Sequence, residues 1–347
     1  RFEEVVPPEI PDERNAAVLY SQIFELYDKL YEEHKELLQD IQNFIFHSSS
    51  FLAKMTSEQN DSARKLLLQQ PEFINLFSLV EKATGIPECR FSLNYGDGPD
   101  TLLPHLSKFH RLAELFALRT FLIAQQGNYN TAWQSFKTSF AMGDALKSEP
   151  FVISQLVRFK VDRIAISTLN EIFSEMKEGI TFKDYNELIS YIDKKEKTLI
   201  DSWAAEIGLL GGYAYGDIFH GRYRRKENFI PFINDVSGTI GIQMFWKIYP
   251  NYFFLPIFKR DAAFYLDYKT KVLELFDNPF YIVQKQLREF DEEIERQNKY
   301  IVGGFLSGSS LSPLIHQRQS EYMAHMDILK IACALEIYRK ENGHYPD

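Results

Sequence analysis

Apolar positions recur at helical spacing along most of the chain, most clearly between Leu112 and Leu146. Leu115, Phe116, Leu118, Leu122 and Ile123 precede the break Gly127-Asn128-Tyr129, and Ala132, Trp133, Phe136, Ser139 and Phe140 follow it. So short a break between two amphipathic stretches predicts an antiparallel αα-hairpin over 112–146. Upstream, Pro7, Pro8 and Pro11 predict an extended arm over residues 1–14. Asn15 reads as an N-cap for a long helix through Leu19, Ile23, Leu26 and Leu30, with Glu33, His34, Glu36 and Asp40 on its solvated side.

A helix over roughly Glu58–Gln70 follows, and Pro71 is suited to open the next at its first position. Phe73, Ile74, Phe77 and Val80 give that helix its face, and Gly85 stops it. Cys89 to Pro104 reads as a long non-helical segment around the turn cluster Asn94-Tyr95-Gly96-Asp97-Gly98-Pro99. Ser148 then reads as the cap of a long apolar helix ending at Gly179, and Thr181 with Asp184 as a capping pair for another. Further helices are expected through Leu199–Leu210, from Pro256 to Leu275, and from Pro279 to about Tyr300. Residues 303–312 are Gly/Ser-rich and predict a linker between a helical body over 15–302 and a C-terminal segment over 313–347. Ile328, Ile331, Ala332, Leu335 and Tyr338 mark an amphipathic helix there, closed by Asn342-Gly343. No run alternates with period two, so the expected class is all-α, an irregular bundle or solenoid of antiparallel αα-hairpins.

Composition narrows the possibilities. A formal net charge of -9 argues against a general nucleic-acid binder. With 29 Phe and 19 Tyr, packing layers rich in rings are expected. Cys89 and Cys333 are the two cysteines, which excludes a CxxC metal or redox pair; buried free thiols are the favoured reading and a long-range disulfide the alternative. No apolar run reaches a membrane-spanning length of about 18 residues, so any membrane association is expected from a segment upstream of Arg1.

The second half of the hairpin resembles a tetratricopeptide repeat. Gly127, Tyr129, Ala132 and Phe136 stand in that repeat's order, and Ser139 stands where a small alanine is usual. Arg119 and Thr120 occupy the positions of its Leu-Gly, and no second copy follows at matching spacing, so one TPR-like hairpin in an irregular helical domain is expected. Scattered blocks also resemble a group of bacterial helical proteins with an N-terminal membrane anchor. These are Pro11-Asp12-Glu13 with Asn15-Ala16-Ala17, Cys89-Arg90-Phe91 with Tyr95-Gly96-Asp97-Gly98, and Leu103-Pro104-His105-Leu106. The stretch Ala334–Arg339 with Asn342-Gly343-His344-Tyr345-Pro346 is similar to the region after the long helix of type II pseudopilins, without the pilin signal. The resemblance implies an extracytoplasmic, cell-envelope location and no activity.

Candidate chemistry is sparse. His105 and His110 are five apart, about 140° around a helix, and neither forms an i, i+4 metal pair with another histidine. Both read as surface or capping histidines. His47-Ser48-Ser49-Ser50 lacks the G-x-S-x-G context of a nucleophile, and Gly96-Asp97-Gly98 lacks a phosphate-loop frame. The cluster Arg222, Arg224, Arg225 and Lys226 and the aromatic run Phe245, Trp246, Tyr249, Tyr252 to Phe258 read as a solvated loop and a packing segment, or as contact surfaces. The acidic run Glu289–Glu295 reads as ion-pair dressing on an exposed helix.

The sequence therefore favours a non-enzymatic scaffold of the cell envelope that binds a protein partner, with no cofactor, metal or nucleic acid. Its candidate contact residues are Tyr95, Asp97, His105, Tyr129, Trp133, Arg224, Arg225, Trp246 and Tyr249. An envelope-polymer hydrolase with a pocket gathering His105, Asp97 or a glutamate pair is one alternative, and a small-molecule or lipid carrier lined by Phe and Tyr is another.

Overall fold

A computed structural model describes residues 6–39, 56–176, 179–195, 202, 204–205, 255–275, 278, 280–297 and 311–346. Among them the regular structure is helical, with a single isolated bridge between Asn15 and Glu88 and no strand. The chain is all-α. It divides into two compact units. The larger, the helical body, comprises Pro7–Leu93, Leu102–Leu199 and Glu321–Asp347. The other comprises Arg1–Val6, Asn94–Thr101 and Ile200–Ser320.

The body holds α1 (Ala16–Glu33), α2 (Ser57–Gln69), α3 (Pro71–Thr84), α4 (His105–Gln125), α5 (Tyr129–Met142), α6 (Val152–Met176) and α7 (Phe182–Lys195). The second unit holds α8 (Leu255–Leu275) and α9 (Phe280–Gln297). The last helix, α10 (Leu311–Asn342), contributes to the body from Glu321 onward. Of the Gly/Ser-rich linker, Leu311 and Ser312 already belong to α10, and residues 303–310 lie outside the described ones.

Local signals explain most helix ends. The Asn15 side chain accepts from Ala17 N at 3.1 Å, capping α1, and it also exchanges two 2.9 Å bonds with the Arg90 backbone. One residue thus starts the first helix and ties the 88–90 segment to it. Thr56 and Gln59 form a reciprocal capping box on α2, and Pro71 opens α3. Thr181 and Asp184 do the same on α7: Thr181 N donates to the Asp184 carboxylate at 3.1 Å and Asp184 N to Thr181 Oγ1 at 3.2 Å. The shorter Asp side chain replaces the usual Glu.

Over 112–146 the chain has α4 and α5, joined by a three-residue connection and packed on each other. Gly127 adopts φ 74°, and its N–H and that of Asn128 bond back to the Ala124 and Ile123 carbonyls at 2.8 and 3.3 Å. That is a Schellman closure, and it needs the left-handed residue that glycine supplies without strain. Asn128 then caps α5 through Thr131 N. Thr120 approaches α5 closely enough for its hydroxyl to donate to Ser135 Oγ at 2.8 Å.

Helix α4 lies at the centre of the body, packed against both α5 and α6, and buries every residue from Leu112 to Leu118, Glu114 included. Ring layers form as composition predicts: Phe109 of α4 meets Tyr20 and Phe24 of α1 and Phe91, with centroids 4.8, 5.4 and 5.9 Å away. In α1 the buried positions are Ala16, Ala17, Tyr20, Ile23, Tyr27 and Leu30, while Leu19 and Leu26 sit at the margin.

Two expectations are corrected. Ser148 does not cap α6; its hydroxyl donates to the Cys89 carbonyl at 2.9 Å, and α6 begins at Val152. The turn before it is held instead by Gln155 Nε2, which donates to the Leu146 and Glu149 carbonyls. In α10 the apolar stripe that marks the helix in the sequence faces outward. Tyr322, Met326, Leu329, Cys333 and Glu336 form the buried side, whereas Ile328 and Ile331 are 60% and 58% exposed. Cys89 and Cys333 are both buried free thiols, each pushed upward by burial, Cys333 to about 12.

Candidate functional site

The body contains a charged lattice where sequence patterning suggested only apolar packing. Asp162 of α6 is fully buried and accepts from Lys195 Nζ at 2.7 Å and from the Tyr322 hydroxyl at 2.9 Å. Lys195, the last residue of α7, also donates to the Phe140 carbonyl at 2.5 Å and lies over the Phe140 ring at 4.0 Å. Asp144, just after α5, takes the Tyr191 hydroxyl and has Lys195 and Arg158 each at 3.5 Å. Arg158 donates to the Lys195 carbonyl at 3.2 Å. Two carboxylates and two cations balance, which is what makes such burial tolerable.

The electrostatics follow from that arrangement. Burial pushes Asp144 up, but Lys195 and Arg158 outweigh it and hold the carboxyl below its ordinary range. Asp162 is driven upward by complete burial, against the pull of the same two cations. Tyr191 and Tyr322 are raised by burial and by the carboxylates they bond, so both remain hydroxyl donors. Gly143 is the residue that allows the approach, since a Cβ there would stand 2.7 Å from Asp162 Oδ1.

A second polar group lies around Glu149. His105 Nε2 stands 2.7 Å from Glu149 Oε1, Ser154 Oγ donates to Oε2 at 2.5 Å, and Phe91 stacks on the imidazole at 4.3 Å. The reading of His105 as a surface or capping histidine is therefore corrected: at 5% exposure it is an interior residue. Glu149 comes from the turn before α6, 44 residues away, and no local signal in the sequence announces the pair.

His110 and Glu114 form a third, one turn along α4, with His110 Nε2 3.3 Å from Glu114 Oε1. Burial depresses His110 to about 4, helped by Lys160 and Arg111, and raises Glu114 to about 7 against those same cations. The pair is thus uncharged between those values. Glu114, raised in the folded state from 4.5, contributes stability that is complete below pH 4.5 and lost as pH climbs to about 7. His110, lowered from 6.5, has its contribution above pH 6.5 and loses it as pH falls toward about 4. Glu114→Gln removes the first effect. Urea unfolding at acid and at mildly alkaline pH should show the variant gaining on the parent by on the order of 3 kcal/mol as pH rises. Parallel stabilities at the two pH values would contradict this.

The remaining candidates are dispersed. Trp133 is buried against Phe136 and Tyr185, and Tyr95 is buried in a 3-10 turn over Tyr95–Asp100, so neither offers a free contact face. Asp97 is exposed in that turn, accepting from Asn94 Nδ2 at 2.8 Å. Tyr129 is half-buried at the first position of α5. Arg224, Arg225, Trp246 and Tyr249 lie outside the described residues, as do His47–Ser50. On α9, Glu289 sits 4.0 Å from Lys285 one turn away, both exposed, as an ion pair dressing a solvated face.

Compared with known proteins, the chain matches no family model, no curated protein and no solved structure. No helix among the described residues is long and apolar enough to cross a membrane.

Proposed function

We propose that this protein is a non-enzymatic helical scaffold of the cell envelope that docks an amphipathic helix of a protein partner along the outer side of α10. One observation carries the reading: Ile328, Ile331, Leu335 and Tyr338 are 60, 58, 37 and 38% exposed in one stripe. Their spacing of three, four and three residues is that of a heptad seam, the pattern into which a second helix sets its own apolar positions. The opposite side of α10 is already committed to the body through Tyr322, Met326, Leu329 and Cys333. Lys330 bonds Asp193 of α7 and so holds the helix from its flank. The stripe is thus presented on a fixed element. Covering four half-exposed side chains is worth on the order of 4 kcal/mol, an anchor within a larger interface.

The envelope location rests on the resemblance of the Pro11–Ala17, Cys89–Gly98 and C-terminal blocks. A hydrolase reading draws less support, because His105 is enclosed by Phe91, Glu149 and Phe109.

A photo-crosslinking side chain at position 331, introduced in cells that make the full-length protein, tests the proposal. A single adduct of constant mass is expected. It should vanish in the double variant Ile328→Glu, Leu335→Glu while helicity and Tm are kept, and it should be absent when the crosslinker is moved to the exposed Lys183 of α7. An adduct that survives the double variant, or one identical from both positions, would reject the docking face.

A further inference from the structure

The seam between α4 and α6 gathers cations around a buried carboxyl. Glu114 of α4 is 2% exposed, and its Oε2 has no hydrogen-bond partner among the described residues. Its other oxygen stands 3.3 Å from His110 Nε2. Arg111, next to His110, and Lys160 of α6 both act on this carboxyl, and Arg163 acts on Lys160 from one turn further along α6. From α1, Asp28 reaches the same end of α4 but is taken by Lys108.

These cations are not matched by acids. Arg163 is exposed, and Arg111 is half-buried with its guanidinium 5.0 Å over the Tyr31 ring; neither forms an ion pair. Acids are not scarce in the chain, since Asp and Glu outnumber Lys and Arg by 48 to 39, so two arginines left without one stand out. Glu114 is the carboxyl they surround, and burial raises it to about 7 against their pull. Below that pH the seam holds the charges of Arg111, Lys160 and Arg163, and Glu114 offsets none of them. Burial also draws Lys160 below its ordinary range, which an anion beside it would restore. Apolar helix flanks focus such a field instead of dispersing it.

We propose that the seam between α4 and α6 binds a free tetrahedral dianion, held by Arg111, Lys160 and Arg163 and governed by the Glu114 carboxyl beneath them. Three cations around one point suit a doubly charged ligand better than a singly charged one. Ionised Glu114 would hold Arg111 and Lys160 for itself and repel the ligand, so binding weakens as pH rises through about 7. His110, lowered to about 4, stays neutral over that range and adds no charge.

Calorimetric titration of the full chain with sulfate, which stays doubly charged across neutral pH, tests this at an ionic strength held constant with chloride. Saturable one-to-one binding is expected at about pH 6, and about tenfold weaker binding at about pH 8. Glu114→Gln should bind at both pH values as tightly as the parent does at the lower one. Arg163→Gln should weaken binding about tenfold at the lower pH. As a change at an exposed side chain it should unfold at the parent's denaturant midpoint, so its weaker binding would not reflect a lost fold. Methyl sulfate, with one charge and an ester carbon, should bind more weakly than sulfate. The proposal is overturned if sulfate fails to saturate, if the parent binds it equally at both pH values, or if Glu114→Gln keeps the pH dependence. It is overturned too if Arg163→Gln binds as the parent does, or if methyl sulfate binds as well as sulfate, which would assign the seam to an esterified group and not to a free ion.

Discussion

Asp162→Ala is expected to lower the unfolding free energy by about 3–5 kcal/mol, because it leaves the Lys195 ammonium enclosed without its nearest carboxylate. In the native body Lys195 Nζ has Asp162 Oδ1 at 2.7 Å and only the more distant Asp144 at 3.5 Å besides. The substitution also strands the Tyr322 hydroxyl, which donates to the other Asp162 oxygen. Lys195→Met should be costly for the mirror reason. The double variant removes one charge of each sign and leaves Arg158 facing Asp144, so its cost should fall well below the sum of the singles. Denaturant unfolding of the four proteins closes that cycle. Additive costs, or a loss under about 1 kcal/mol for Asp162→Ala, would mean that the lattice is not acting as a charge-balanced unit.

This lattice also explains how α10 is seated. Tyr322 stacks on Phe159 of α6 with centroids 4.1 Å apart while its hydroxyl reaches Asp162. The first buried turn of the body portion of α10 is therefore fixed by a ring contact and a hydrogen bond to α6. Less than two turns later, at Ile328, the exposed stripe begins, on the side away from the body. Loss of Asp162 should thus disturb the presentation of Ile328 and Ile331 as well as stability, which links the interior to the proposed docking face.

Much of the helical framework was legible because its signals are local. Gly127 with Asn128, Pro71, Asn15 and the Thr181–Asp184 pair each specify a helix end within four residues, and each does so in the structure. The interior chemistry was not legible, for the opposite reason. Asp144, Asp162, Lys195 and Tyr322 come from four parts of the chain, and no spacing rule joins them. One trace was present: Arg158 and Asp162 are one turn apart on a helix whose neighbouring positions Val157 and Val161 are apolar. Such a pair reads as an ordinary surface salt bridge until α7 and α10 are laid over it. The last helix shows the same limit. Its two apolar stripes cannot be ranked from the sequence, since hydrophobicity says that a side seeks cover and not which side the body provides.

Phe109→Ala is expected to cost a further large amount, about 3–5 kcal/mol, through a cavity that its neighbours cannot close. The ring is fully buried and is met by Tyr20, Phe24, Phe91 and His105, with centroids 4.8 to 6.4 Å away. Those partners come from α1, the 88–93 segment and α4 itself, so no single element can shift inward without giving up its own contacts. Tyr20 and Phe91 also meet each other, with centroids 6.4 Å apart, so the ring that Phe109 supports on α1 in turn supports the one on the 88–93 segment. The loss should therefore appear twice: as a lower denaturant midpoint, and as faster amide hydrogen exchange over 86–91, the stretch that Asn15 ties to α1. Phe109→Leu, which refills much of the volume, should recover a large part of both effects. If Phe109→Ala proved nearly neutral, with exchange unchanged, the ring cluster would not be what fixes that segment.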